Sequence, residues 1–237
     1  GSRSEDLDIL ENLIGLGKQV RNKNYEKVLE SPMAEFFELH SQDIEALDKV
    51  ANKNLPLIIE TNRASDIKHL IDIKNKHDLN LILAGVEDAP LVLNELVESG
   101  IPVIINPMDN IPNSFDELSS SLELASILNK AGVTIMFDSS RSHNYYLMRQ
   151  GAGNAVAYGM NYEDAISGMS KIVADVFGIE NRGSLVKGNF ADVVIWESDP
   201  LEPASVPLYV LIEGSEMDLV TRSSRLKDRY IEKLIKN

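Results

Sequence analysis

Four short apolar runs, separated by stretches of helical periodicity, set the pattern of this chain. Leu57-Ile58-Ile59-Glu60-Thr61, Leu81-Ile82-Leu83-Ala84-Gly85, Pro102-Val103-Ile104-Ile105-Asn106 and Val133-Thr134-Ile135-Met136-Phe137 are mostly apolar rather than alternating. That is how strands buried on both faces of a parallel sheet read. Between them the spacing predicts a helix over 65–76, with Ile67, Leu70, Ile71 and Ile73 as its buried face. A second helix is predicted over 89–99, stopped by Gly100, and a third over 115–130, closed by Ala131-Gly132. Strands alternating with helices in this way predict four βα units with a parallel sheet. Half of an eight-stranded βα barrel reads like this, and so does a small doubly wound sheet.

Residues 3–53 read as helical. Leu7, Leu10, Leu13, Ile14 and Leu16 recur at helical spacing, and Tyr25, Val28 and Leu29 follow. Ser31-Pro32 breaks the pattern, Pro32 suits the first turn of a new helix, and Ser41 reads as the N-cap of a helix through Val50. Beyond the fourth strand, the small residues from Gly153 to Tyr158 suit a helix that packs closely on a neighbour. A further helix is expected from Asn161 to about Val176, ending at Gly178. Strands are then expected at 190–196, 208–212 and 217–221, before an amphipathic helix over 224–236. The chain thus divides into a helical segment (3–53), a βα domain (54–180) and a small β domain with a C-terminal helix (181–237).

Composition narrows the partners more than the fold. The formal net charge of −14 argues against nucleic acid and anionic membrane, because neither polyanion would gain from counterion release on this surface. No apolar run approaches the ~18 residues that span a bilayer, so a soluble protein is expected, with its compartment open. The absence of cysteine removes disulfides, thiolate metal sites and a Cys nucleophile together. Gly1-Ser2 reads as a tag remnant.

The stretch Arg182 to Leu201 holds the most particular pattern. Gly183 and Gly188 suit reversals of the backbone, and Ala191-Asp192-Val193-Val194-Ile195-Trp196 is a β-branched run that Pro200 cannot prolong. Read whole, from Gly183-Ser184-Leu185 through Gly188 and Ala191-Asp192 to Asp199-Pro200-Leu201, it resembles the segment that carries metal-dependent amidohydrolases from their barrel back into a small β domain. The imidazolonepropionase-like and prolidase-like members are the nearest in pattern. Other segments extend the resemblance over about residues 40–235. Residues 56–67 look like the family's fifth barrel strand and its turn, 81–89 like the sixth, and 132–140 like the eighth. Ala155-Val156-Ala157-Tyr158-Gly159 matches a helical motif, and Val210 to Gly214 is similar to the returning strand of the β domain.

The resemblance implies the second half of a TIM-type (β/α)8 barrel plus a small β satellite and a C-terminal helix. It also implies hydrolysis of a C–N bond in a small-molecule or peptide-like substrate, an amide or cyclic amide. Zn²⁺ or another divalent metal is the family's expected cofactor, lowering the pKa of a bound water to ~7. The family's first four strands, with their His-x-His, are not matched, so the metal is expected to be absent from this chain by itself. The protein is expected to be incomplete or inactive alone, or else a non-catalytic binding or assembly relative. Completion by a missing N-terminal half, homo-oligomerisation, or help from the chain's own N-terminal helices is expected to cover the open sheet edges.

Candidate site residues follow from strand ends, where barrel sites are built. Glu60 stands where the resemblance places a metal-binding His on the fifth strand, and His143 lies just beyond the fourth apolar run; both are candidate metal ligands. A structural pair with Arg63 is the alternative for Glu60. Asp138 is the candidate general base, with a loop or helix cap as its alternative. The family's catalytic Asp falls on Ser140 by an ungapped count, and Arg63, Ser140 and Tyr145 are candidate substrate-binding residues. Glu87 and Asp88 read as acidic residues at the start of the next helix, where negative charge suits the dipole. His40, His69 and His77 read as surface residues, and Arg149 as packing.

Overall fold

A computed structural model describes residues 3–20, 22, 24–109, 111–139 and 147–235. The four apolar runs form one parallel sheet in the order β1 (Leu57–Thr61), β2 (Leu81–Gly85), β3 (Val103–Ile105) and β4 (Ile135–Phe137). Register is in step across it: Glu60 lies opposite Ala84, Ala84 opposite Ile104, and Ile104 opposite Met136. Because side chains alternate along a strand, this row shares one face with Ile58 and Ile82. Leu57, Ile59, Leu81, Leu83, Val103, Ile105, Ile135 and Phe137 share the other.

That second face is where the core sits. It packs against α5 (Ala64–His77), α6 (Leu93–Ser99), α7 (Leu124–Lys130) and α8 (Leu147–Ala157) through Ile67, Leu70, Leu96, Leu128, Ala152 and Ala155, all nearly inaccessible. The first face is less evenly covered. Ile82 and Met136 are buried, whereas Ile58 is 47% exposed and Glu60 is exposed. A sheet buried on both faces, as the apolar runs imply, is therefore found at β2 and β4 but not at the edge strand β1.

The N-terminal segment folds as α1 (Arg3–Gln19), α2 (Tyr25–Leu29), α3 (Pro32–Phe36) and α4 (Ser41–Ala51). Leu16, Val20, Val28 and Ile44 make a small core of their own, while Leu7 and Leu10 of α1 pack on the main core beside Ile59. Ser41 is the first helical residue rather than the cap. The cap position is His40, whose N–H donates to the Asp43 carboxylate at 2.8 Å.

Three expected helices are corrected. The one expected over 89–99 opens as a 3₁₀ turn, Ala89–Val92, and is α-helical only as α6. Residues 115–123 do not continue α7; they form turns in which Glu117 and Ser114 take the local hydrogen bonds. The segment 161–176 is broken in two, α9 (Tyr162–Gly168) and α10 (Lys171–Phe177), because Ser170 adopts a non-helical backbone and its hydroxyl donates back to Ile166 O.

The later strands form a separate antiparallel sheet, β5 (Val193–Trp196), β6 (Pro207–Ile212) and the two-residue β7 (Ser215–Glu216). β7 lies earlier than the expected 217–221, of which only Met217 reaches back, its N–H donating to Val210 O at 2.8 Å. The amphipathic helix α11 (Arg222–Ile235) ends the described chain. The turn through Asp199-Pro200-Leu201 docks on the helices. Leu201 is in the main core, Asp199 accepts from Tyr162 Oη and Leu201 N (both 2.8 Å), and a Cβ at Gly153 would meet Leu201 O at 2.8 Å. The close approach expected of the small-residue helix is made here. Arg149 stacks on Trp196 at 4.3 Å and donates to Ser205 O at 3.0 Å, so it ties α8 to the second sheet.

Candidate functional site

Parallel strands end together, so the turns after β1 to β4 converge at one rim. A cavity of 670 Å³ opens there on the less covered face of the sheet. Its lining takes Glu60 and Asn62 from the end of β1, Gly85 and Glu87 from β2, Asn106 and Asp109 from β3, and Asp138 and Ser139 from β4. Asn113 and Glu117 reach it from the loop before α7, and Leu147 and Gln150 from α8. Five carboxylates and no Lys, Arg or His are among these lining residues.

The turn after β2 aims the most buried of these acids. Gly85 (φ 86°) and then Val86 (φ 57°) both lie in the left-handed region, which is strained for a β-branched residue. Two sets of contacts hold the turn. The Val86 side chain is fully buried in the core, and its N–H donates to Thr61 O at 2.8 Å while Asp88 N–H donates to Asn62 O at 2.9 Å. With Val86 pinned inward, Glu87 turns to the cavity at 6% exposure. Burial pushes its carboxyl up to about 7; an interaction with the Ser120 hydroxyl opposes the rise, and the negative charges of Asp109, Glu117 and Asp88 reinforce it. Among the described residues its Oε2 has no hydrogen-bond partner, nor does the buried Oδ1 of Asn62. The Asn62 amide nitrogen donates to Glu117 at 3.4 Å, and Glu117 also accepts from the Asn113 backbone N–H at 3.0 Å.

Glu87 and Asp88 do stand at the start of the next helix, a 3₁₀ turn over Ala89–Val92 with Asp88 at its cap position, but the Glu87 side chain lines the cavity, which the strand pattern did not indicate. The available signal was a glycine immediately after an apolar run, which permits a turn that redirects the next side chains.

The expected site residues separate. Glu60 and Asp138 both line the cavity and are exposed; Asp138 Oδ1 accepts the Ser139 N–H at 2.6 Å. Arg63 does not pair with Glu60. It grips Asp116 through Nε at 2.6 Å and again through a terminal nitrogen, and Arg3 of α1 binds the same carboxylate. Burial raises the Asp116 carboxyl, but the two guanidiniums outweigh it and hold the group below its usual range. Geometry explains the exchange: Arg63 is at the cap of α5, and the loop carrying Asp116 crosses beside it. Ser140, His143 and Tyr145 lie outside the described residues. Of the other histidines, His40 and His69 are exposed as expected. His77 is half-buried, with Nε2 3.5 Å from Glu11.

Among the described residues the donor set does not gather the ligands of the divalent metal that the resemblance implies, and the candidate imidazole His143 lies outside them. Among the described residues no group of three or more His, Cys, Asp or Glu side chains is gathered to hold an ion, and the cavity lining offers carboxylates and amides without an imidazole. Among the described residues, too, no helix is long and apolar enough to cross a membrane.

Comparison with known proteins bears on both fold and site. An amidohydrolase from Thermotoga maritima MSB8 superposes with a TM-score of 0.76 at 25% identity, covering 92% of this chain and 56% of that one. A prolidase solved with N-methylphosphonate-L-proline superposes with a TM-score of 0.55 at 16% identity, covering 76% of this chain and 50% of its own. Among curated proteins, amidohydrolase tasK of Hapsidospora irregularis is 35% identical over 65 residues, which are 27% of this chain and 7% of that protein. The chain therefore spans about half the length of the solved structures it matches and a small part of the curated relative. The amidohydrolase family model matches residues 12–223, which takes in both sheets and all the elements that build the cavity. On that match, over nearly its whole length, the chain belongs to the amidohydrolase family.

Proposed function

We propose that this chain supplies the second half of a TIM-type amidohydrolase barrel and its site, acting on a C–N bond of a peptide-like or cyclic amide, and that it is incomplete by itself. The observation that carries this reading is the cavity at the carboxyl ends of four parallel strands, lined by Glu60, Glu87 and Asp138. In that reading Asp138 accepts the proton of the attacking water, a role worth typically 10²–10⁴-fold in rate. Completion is supported by the partly open face at Ile58 and Glu60, by the single neighbour of each edge strand β1 and β4, and by relatives of which this chain covers only 56% and 50%. The missing strands would come from an N-terminal half of the same family.

A second reading, a non-catalytic relative that binds or assembles, is favoured by the cavity lining of acids and amides without imidazole. Turnover of a panel of peptide-like and cyclic amides separates the two, measured on residues 1–237 alone and within the longer polypeptide that contains them. The first reading expects turnover only in the longer form, falling about 10²-fold or more with Asp138→Asn. Turnover in neither form leaves the binding reading; turnover with stoichiometric metal in the isolated chain overturns incompleteness.

A further inference from the structure

We propose that the cavity at the ends of β1 and β2 binds an organic cation bearing N–H donors, an alkylammonium or guanidinium group, seated between Glu87 and Asn62. The proposal takes its location from the reading above, but it concerns binding and does not require turnover.

Two independent observations carry it. The first is the pair of orphaned acceptors. Glu87 Oε2 and Asn62 Oδ1 are both buried and both without a hydrogen-bond partner among the described residues, and both residues line the same cavity. A buried acceptor left unpaired is costly, so a group that donates to both is favoured here. The second is charge. Among the described residues the cavity wall holds five acids and no basic side chain, and the guanidiniums of Arg3 and Arg63 are engaged by Asp116. A concave site lined by one sign of charge concentrates ligands of the other sign.

The turn itself is built to hold this acid. Strain at Val86 persists because core packing and the hydrogen bond to Thr61 O over-determine the backbone, and strain of this kind gathers at ligand clamps. The Asn62 carboxamide is likewise oriented, its nitrogen donating to Glu117. A divalent ion fits less well, since the described residues do not converge three ligating side chains. A protonated amine or guanidinium instead needs spread acceptors, and it finds them in one carboxylate and one amide oxygen.

The negative groups that face Glu87 are Asp109, Glu117 and Asp88, with the Ser120 hydroxyl also in contact. A bound cation would be attracted by the same charges that hold a proton on Glu87, so binding and deprotonation of Glu87 are coupled.

Butylammonium and butylguanidinium chlorides, titrated into the 237-residue chain at pH 8 and constant ionic strength, test this. The readouts are calorimetry and the NMR shifts of the Glu87 carboxyl carbon and the Asn62 side-chain amide. The expected result is saturable binding by at least one of the two, with both signals moving together. Affinity should fall at least tenfold in Glu87→Gln and fall again as pH is lowered from 8 to 6. Tetramethylammonium, a cation without N–H donors, and n-butanol, a donor without charge, should bind at least tenfold more weakly. Equal binding by tetramethylammonium would reduce the effect to general attraction by an acidic surface and overturn the proposal. Unmoved Glu87 and Asn62 signals at saturation, or tight Mn²⁺ or Ca²⁺ binding with none by the amines, would overturn it too. Hydrolysis assays are not involved, so failure here leaves the amidohydrolase reading to its own test.

Discussion

Alternate residues of the same short strands make the two faces of the parallel sheet, and the faces have opposite characters. Leu81, Leu83, Val103, Ile105 and Ile135 point to the helices and are almost inaccessible. One residue along, Ile58, Glu60, Ala84 and Ile104 are at least partly exposed on the opposite face, the last three lining the cavity, while Ile82 and Met136 of that face are buried. The first face is specified by volume and apolarity alone, as close packing demands. The second carries its information at the strand ends, where polar side chains meet. Stability and function in this fold are therefore separated by a single residue of register.

The contrast can be broken most severely from the packed side. Leu83→Ala, at a position with 0% exposure, should cost about 2–5 kcal/mol by urea denaturation, from lost transfer energy plus the cavity left behind. A cost near zero would mean that the helices do not bear on β2 as described.

Glu87→Gln tests the opposite side, and its effect depends on pH. The native carboxyl titrates at about 7 and the unfolded one at 4.5. Between these values the unfolded chain has lost its proton while the folded one keeps it, so Glu87 lowers stability progressively as pH rises and levels off above 7. The shift corresponds to roughly 3 kcal/mol as an upper figure. Relative to wild type, the Gln variant should be near neutral below pH 4.5 and most stabilising above pH 7. A stability difference that stays flat from pH 4 to 8 would place Glu87 in water.

Gly85→Ala sharpens the comparison at the junction of the two faces. Its φ of +86° disfavours any side chain, and the new Cβ would meet Asn62 Oδ1 at 2.2 Å. A loss of more than about 1 kcal/mol is expected, with the Asn62 amide signal displaced. Smallest of all should be Glu60→Gln. Exposed and without a bearing on the core, it should change stability by less than about 0.5 kcal/mol.

Which parts were legible in the chain follows from how local each cause is. The four strands and the helix 64–77 were readable because their apolar residues must recur at fixed spacing to reach one core, and the structure places all of them. The helix expected over 115–130 was overextended. Phe115 and Leu118 have the right spacing, yet they are 85% and 67% exposed, because Asp116 is held by two arginines from elsewhere in the chain. Periodicity carries no trace of such a tether. Glu60 and Asp138 were found by position, being polar residues at the ends of apolar runs. Glu87 was placed correctly at the start of the following helix, but its turn into the cavity was not legible, because two residues of positive φ precede it and a one-letter pattern does not show that.

The amino-acid sequence by itself determined the βα order, the parallel sheet, the amidohydrolase likeness and the absence of thiol chemistry, since each depends on residue type and short-range spacing. Only the tertiary structure decided that Arg63 belongs to Asp116, that Asn62 and Glu87 line one cavity, and that this acid is buried with one oxygen unpaired among the described residues. These depend on which distant segments share a rim and on how much water reaches them. Burial and proximity are properties of the packed chain, and they set the charge state of a carboxylate more strongly than its neighbours in sequence do.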